Sequence, residues 1–146
     1  MIRAKFRCME SSNSWNHYRI YKFLPVMADD GAPENAMFWD ATPSGRAEMS
    51  FKAAPDNDQQ FIVGDYYYID MAPAESDWRL NSITDHGPHQ RSVLFSFDPK
   101  ITDYDKPGPR RGVLEMDVNN EATFDVFGTA KKPWMVTFSH AGKSDD

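Results

Sequence analysis

Residues Gly45–Ala74, GRAEMSFKAAPDNDQQFIVGDYYYIDMAPA, share a pattern with residues Gly112–Ala141, GVLEMDVNNEATFDVFGTAKKPWMVTFSHA. The two stretches can be aligned without a gap from Gly45 and Gly112. This alignment matches Tyr67 with Trp134. The same alignment matches Glu48 with Glu115, Met49 with Met116, Phe51 with Val118, Ile69 with Val136 and Met71 with Phe138. Few residues are identical, and the agreement lies in the alternation of apolar and polar positions. Such self-similarity predicts two related β-units in one chain.

Alternation of apolar and polar residues continues outside the repeat. Ile2–Cys8 places apolar side chains on one face and basic ones on the other, and Ser92–Asp98 alternates in the same way. Thr123–Phe127 is compatible with either a strand or a helical turn. Short strands separated by turns, with no sustained helical period, predict an all-β chain with an antiparallel β-sandwich or barrel-like fold. Its units would be residues 1–75 and 76–146, either packed together or merged into a single compact domain.

Composition excludes several classes of protein. The 40% hydrophobic and 14% aromatic residues are enough for a core, so the chain is not intrinsically disordered. A net charge of −6 disfavours nucleic acid as a partner for the whole surface, because backbone binding needs accumulated Lys and Arg. Cys8 is the single cysteine, so no intrachain disulfide forms. Without a signal sequence or a stretch of ~18 apolar residues, we expect a soluble protein made in the cytoplasm, with no membrane partner.

One group of side chains stands out as a candidate interaction surface. Three cations project from the outer face of the first strand, and two tyrosines project in the same way from a later strand. Such a surface suits single-stranded nucleic acid, which combines phosphate attraction with base stacking. The alternative is an ordinary solvated face whose cations protect a strand edge from unwanted pairing. With one tryptophan added, the predicted interaction surface is Arg3, Lys5, Arg7, Trp39, Tyr66 and Tyr68.

Candidate catalytic and metal sites have less support. Asp85, His86 and His89 are metal-ligating residue types, but their spacing within a Gly-Pro turn matches no closed motif, and a solvated loop explains them better. No serine lies in a Gly-x-Ser-x-Gly elbow, and the glycines form no phosphate loop. Glu48 and Glu115 occupy equivalent places in the repeat, where solvated strand carboxylates are the simpler explanation. We therefore predict no catalytic residue, no bound metal and no cofactor.

The first half also carries a family resemblance. The opening MIRAKFRC, the run ENAMFWDATPSGRAEMSF (Glu34–Phe51) and VGDYYYIDMAP (Val63–Pro73) resemble a group of small β-rich proteins encoded by tailed bacteriophages and prophages. The resemblance covers Met1 to about Pro73, and its most specific part is Trp39–Gly45. Unit two matches only through the internal repeat. The resemblance implies a phage origin and brings no established catalytic residues.

Small β-modules of phage origin without active-site signatures most often serve as parts of the particle. The expected function is therefore that of a non-enzymatic virion component, foremost a capsid decoration or cement protein that stabilises neighbouring subunits. Its partners would be the viral capsid or another virion protein, together with other copies of itself, and its location the virion after synthesis in the host cytoplasm. The alternatives are a single-stranded nucleic-acid-binding accessory protein and a phage-encoded inhibitor of a host protein.

Overall fold

The computed structural model describes residues 2–13, 18–27, 32–39, 44–52, 61–99 and 108–143. Seven strands lie in these ranges, and they are all antiparallel to their neighbours. The strands are β1 (Ile2–Asn13), β2 (Tyr18–Pro25), β3 (Gly45–Lys52), β4 (Tyr66–Asp85), β5 (Arg91–Phe97), β6 (Gly108–Val118) and β7 (Pro133–Gly142). Two short 3-10 helices accompany them, Pro33–Met37 and Glu121–Phe127. The stretch at residues 123–127 is thus helical and not a strand.

The alternation of apolar and polar residues in the sequence corresponds to the alternation of inward-facing and outward-facing side chains in the sheet. Along β1 the residues Ile2, Ala4, Phe6 and Cys8 are buried, and the side chains between them point outward. The other strands follow the same rule, because successive side chains of a strand point to opposite faces. Their inward residues come together in a single hydrophobic core drawn from both halves of the chain.

The strands form one sheet that partly closes into a ring. Its order is β1-β2-β3-β6-β5-β4-β7, and β1 also pairs with β4. The long strand β4 makes this closure possible. Its first part, Tyr66–Pro73, pairs with β1 and β7, and its second part, Trp78–Asp85, pairs with β5 and with the start of β7. The prediction of an all-β, antiparallel and barrel-like fold is confirmed.

The hairpin β1–β2 is repeated by the second part of β4 with β5. Cys8 pairs with Phe23 in the first hairpin, and Leu80 pairs with Phe95 in the second. In each hairpin the register shifts by a β-bulge just after Cys8 or Leu80. Because bulges interrupt a ladder at particular positions, their recurrence at matched positions makes the two hairpins equivalent.

The internal repeat that aligns Gly45 with Gly112 is also present in the strand pairing. Ala47 in β3 lies opposite its equivalent Leu114 in β6, and Asp70 in β4 lies opposite its equivalent Thr137 in β7. An approximate two-fold axis places equivalent residues opposite each other in antiparallel ladders, as these two pairs are. This axis relates unit one (β1, β2, β3 and the first part of β4) to unit two (the second part of β4, β5, β6 and β7).

The remaining pairing follows the same axis. Phe6 of β1 lies opposite Tyr67, and its equivalent Trp78 lies opposite Trp134. The boundary expected between residues 75 and 76 falls inside β4, in the segment that joins its two parts. The units therefore share one continuous strand and one core. Among the described residues, no helix has the length and apolarity that crossing a membrane requires.

Candidate protein-docking surface

The pairing of β1 with β4 assembles most of the predicted interaction surface. Arg3 lies opposite Asp70, Lys5 opposite Tyr68 and Arg7 opposite Tyr66, on the outer face of the sheet. We call these six residues the cationic ladder. The sequence indicated that the cations and tyrosines share an outward orientation. Their direct contact follows from the register of two strands that are far apart in the chain.

Each tyrosine ring of the ladder is covered by a cation. The guanidinium carbon of Arg3 lies 4.2 Å from the centre of the Tyr68 ring. The ammonium of Lys5 lies 5.0 Å and the guanidinium of Arg7 5.5 Å from the centre of the Tyr66 ring. These distances are within the range of cation–π attraction. The rings therefore offer less free surface for stacking than their exposure in the sequence pattern implies.

Arg3 and Asp70 form a two-point ion pair across the strands. Nε donates to Oδ1 at 2.7 Å, and Nη2 donates to Oδ2 at 3.0 Å. The hydrogen bond to Asp70 raises the pKa of the Arg3 guanidinium above its usual value. A fork-to-carboxylate geometry of this kind holds both side chains in place. The arginine is thus kept against Tyr68 as a fixed positive group.

A shallow groove of about 460 Å³ begins where the ladder ends. Its lining includes Arg7, Met9, Leu24, Val26, Met27 and Tyr66, and we call it the apolar groove. Met9, Leu24 and Met27 are 47%, 48% and 41% exposed, which is high for side chains of this size and apolarity. Arg7 is held at the edge by its Nε, which donates to the carbonyl of Gly64 at 2.8 Å.

The turn beside Arg7 extends the exposed apolar area. Ile62 and Val63 are about half exposed and lead directly into Gly64. The amide of Gly64 donates to the carbonyl of Cys8 at 2.7 Å, which brings this turn next to Met9. Contiguous exposed apolar surface rimmed by polar groups is typical of protein-interaction sites.

Unit two carries a groove at the equivalent place, with a different lining. Its volume is about 430 Å³, and we call it the polar groove. The hairpins can be aligned so that Cys8 matches Leu80. In this alignment the apolar-groove residues Arg7, Met9, Leu24 and Val26 correspond, in that order, to the polar-groove residues Arg79, Asn81, Ser96 and Asp98. The fold thus produces the same concave feature twice, and apolar side chains line only one of the two.

The prediction that Trp39 belongs to the interaction surface is wrong. Its side chain is 2% exposed and lies in the core beside Phe6 and Phe38. The indole Nε1 donates to the carbonyl of Ser44 at 2.9 Å, so its single polar atom is satisfied inside the protein. The residue follows the 3-10 helix Pro33–Met37, which covers the core, and burial of a large aromatic surface there favours the inward orientation.

The histidines of the Asp85–His89 turn have separate partners. His86 Nε2 lies 2.8 Å from Ser92 Oγ, and His89 Nδ1 pairs with Glu121. Within the described ranges, no three His, Cys, Asp or Glu side chains are placed to hold a metal ion. Ser92 in turn donates its proton to Asp117. This order leaves the hydroxyl between imidazole and carboxylate, whereas nucleophile activation needs the imidazole in the middle.

The apolar groove was not predicted from the sequence, although a signal for it exists. Met9 follows the inward-facing Cys8 and Leu24 follows the inward-facing Phe23, so both are apolar residues at outward positions. Compared with known proteins, the chain matches no family model, no curated protein and no solved structure.

Proposed function

We propose that this chain is a non-enzymatic component of a tailed-phage particle, a decoration or cement protein that docks on the capsid through the apolar groove. Its likeness to small β-rich phage proteins over Met1 to about Pro73 supports the phage origin. The barrel-like core and the shallow, exposed character of the groove support a docking role over a catalytic one.

The difference between the two grooves carries this proposal. Both grooves are products of the same strand pairing, and the polar groove demonstrates that the fold does not need an apolar lining there. Met9, Leu24 and Met27 remain half exposed and contribute little to the core. An apolar surface that folding does not require is explained by a partner that covers it.

The residue types suit a protein partner. Met, Tyr and Arg are enriched in protein interfaces, and all three line the apolar groove. Methionine side chains are flexible and adapt to an uneven partner surface. A protein that binds only the assembled form of the capsid stabilises that form by mass action, which is the physical basis of a cementing role.

Mass spectrometry of purified particles tests the virion assignment. Particles should be prepared from the phage or prophage whose genome encodes this chain, and washed free of cell extract. We expect the chain at a stoichiometry comparable with that of a capsid subunit. Its absence from intact particles would end the virion assignment, and its recovery in cell extract alone would favour an inhibitor of a host protein.

A groove swap tests the docking site itself. Met9→Asn combined with Leu24→Ser gives the apolar groove the residues of the polar groove. We expect binding to particles that lack this protein to weaken by about tenfold or more, since two exposed apolar contacts are lost. Asn81→Ala combined with Ser96→Ala, in the polar groove, is the matched control and should bind normally. Equal binding by all three proteins would refute the assignment of the groove.

Single-stranded nucleic acid is the second candidate, because the cationic ladder places three cations beside two tyrosines. Its weakness is that the cations already cover the rings and that the chain carries a net charge of −6. Fluorescence anisotropy with a labelled oligothymidine at low salt separates the two functions. A docking protein should give a flat titration, whereas salt-sensitive binding that weakens in Lys5→Ala would favour nucleic acid.

A further inference from the structure

The approximate two-fold axis reveals an inversion of charge between the two units. Phe6 and Trp78 are equivalent residues of the two units. One residue before them along the chain, Lys5 corresponds to Asp77, and three residues before them, Arg3 corresponds to Glu75. Both carboxylates are exposed, as is Arg3, while Lys5 is partly exposed. The carbonyl of Lys5 faces the amide of Val26 as that of Asp77 faces the amide of Asp98, so Lys5 and Asp77 are equivalent in the fold and carry opposite charges. Glu75 is matched to Arg3 by its place along the chain, in the part of β4 where pairing with β7 is interrupted.

Neighbouring charges add to this contrast, although Arg7 and its equivalent Arg79 carry the same charge. In unit one, the cationic ladder combines three cations with the carboxylate of Asp70, and Glu34 lies close enough to act electrostatically on Arg3. The corresponding acidic face of unit two contains the carboxylates of Glu75, Asp77 and Asp98, and one cation, Arg79. The backbone amide of Asp98 lies 3.4 Å from the carbonyl oxygen of Asp77, so these two residues are neighbours on that face. The cationic ladder is thus mainly positive and the acidic face mainly negative.

We infer that the cationic ladder of one copy docks on the acidic face of a second copy. Contact between two like faces would set cations against cations or carboxylates against carboxylates. Contact between unlike faces sets Lys5 and Arg3 of one copy against Asp77 and Glu75 of the next. Such a contact is heterologous, so each copy keeps one face open for a further copy, and the copies join into a ring or a row.

A second copy fits these observations better than other occupants. Nucleic acid is attracted by the ladder but repelled by the acidic face, which it leaves unexplained. Arg7 and Tyr66 belong to both the ladder and the apolar groove, but Arg3 and Lys5, which make the contact between copies, do not line the groove. Arg3 lies four residues from Arg7, about 13 Å along an extended strand. The contact between copies is therefore compatible with a partner in the groove and does not depend on the identity of that partner.

The strength of the contact is limited, and this shapes its test. Exposed ion pairs are individually weak, and the net charge of −6 makes whole molecules repel. At about 0.1 M salt the Debye length is about 10 Å, which screens the long-range repulsion more than the contact itself. Association should be visible towards about 1 mM, the effective concentration of neighbours held together on one surface.

Sedimentation velocity of the full chain tests the inference through charge reversal. We expect concentration-dependent association of the natural protein at about 0.1 M salt, weakened at about 1 M. Lys5→Glu alone and Asp77→Lys alone should each weaken it by about tenfold, because one attraction becomes a repulsion. An equimolar mixture of the two variants should restore association, because the reversed ladder of one variant complements the reversed acidic face of the other, and the two unchanged faces still complement each other.

Matched controls separate the contact from net charge. Lys22→Glu and Asp125→Lys make the same changes in charge at exposed positions on β2 and on the 3-10 helix Glu121–Phe127, and should associate like the natural protein. The inference is overturned if the natural protein stays monomeric up to about 1 mM. It is also overturned if the mixture fails to restore association, or if the controls weaken it as much as the paired variants.

Discussion

Lys131 in unit two occupies the position that Gly64 holds in unit one. Their φ angles are 72° and 96°, and among the described residues Lys131 is the non-glycine residue with positive φ. Gly64 donates its amide to the carbonyl of Cys8, and Lys131 donates its amide to the carbonyl of the equivalent residue Leu80. The approximate two-fold symmetry therefore includes the backbone conformation of individual residues. It gives Lys131 a positive φ, which suits glycine better than lysine.

Replacement of this lysine by glycine should stabilise the protein. A Cβ atom in the left-handed region is strained, and Lys131→Gly removes that strain, although the unfolded chain gains some freedom. We expect the free energy of unfolding to rise by about 0.5–1 kcal/mol, measured by urea denaturation. Lys132→Gly, next to it and without a positive φ, should lower the free energy instead. A loss of stability in both variants would contradict this account of Lys131.

Two equivalent glycines allow β3 and β6 to pack closely, and a methyl group at either should destabilise the sheet. A Cβ at Gly112 would collide with the sulfur of Met49 and lie 2.8 Å from the Trp78 ring. At Gly45 it would lie 2.5 Å from the carbonyl oxygen of Glu115. We expect Gly112→Ala and Gly45→Ala to cost about 1–3 kcal/mol each in thermal or urea unfolding.

Gly142→Ala is the control for that prediction. No atom lies within 4 Å of a Cβ built at Gly142, and its φ is not positive. The control should change the free energy of unfolding by less than about 0.5 kcal/mol. An equally small change in Gly112→Ala would contradict the close packing around Gly112.

A buried asparagine joins β1 to the residue that follows β2, and its loss should be costly. Asn35 Nδ2 donates to the carbonyls of Lys5 and Val26 at 2.8 and 2.6 Å, and its Oδ1 accepts from the amide of Lys5 at 2.7 Å. Asn35→Ala should lower the free energy of unfolding by about 2–4 kcal/mol, because buried backbone groups lose their partners. Asn120→Ala, whose side-chain hydrogen bond to Ala36 is exposed, should cost under about 1 kcal/mol.

The variant Asn35→Asp tests the same network by pH. A carboxylate still accepts from the amide of Lys5, but it places negative charge against two carbonyl oxygens. We expect Asn35→Asp to be destabilised at neutral pH and to recover part of its stability as acid protonates the carboxyl group. Stability that does not change with pH relative to the natural protein would argue against the hydrogen bonds of Asn35 described above.

The buried thiol of Cys8 should make the protein sensitive to alkali. Burial raises the pKa of Cys8 from 9.0 to about 11. A raised folded-state pKa contributes stability that is complete below pH 9 and is lost as the pH rises to about 11, because the unfolded chain ionises first. The loss should be on the order of 2 kcal/mol.

Cys8→Ala should flatten the pH dependence between these limits, whatever its effect on absolute stability. The measurement is urea denaturation at a series of alkaline pH values. Burial also raises the pKa of Tyr67 above its usual value of 10.0, so a further decline at higher pH should persist in the variant. An unchanged slope between pH 9 and 11 in Cys8→Ala would show that the thiol is not its source.

The candidate surface was predictable only in part. Strand alternation determines that Arg3, Lys5 and Arg7 point away from Ala4 and Phe6, and the structure agrees. The same reasoning could not recognise that Trp39 is buried, because it lies outside a strand and has no alternation to orient it. The apolar groove is formed by side chains from two strands and a turn, and no single segment contains it.

What the sequence by itself determined is the local pattern: which residues form strands, which of their side chains face the core, and the internal repeat that aligns Gly45 with Gly112. These follow from the alternating period of a strand, which each segment carries alone. Only the tertiary structure decided that β1 pairs with β4, that equivalent strands face each other across a two-fold axis, and that one of two equivalent grooves is apolar. Long-range register depends on how all the inward side chains pack together, and that is a property of the assembled core.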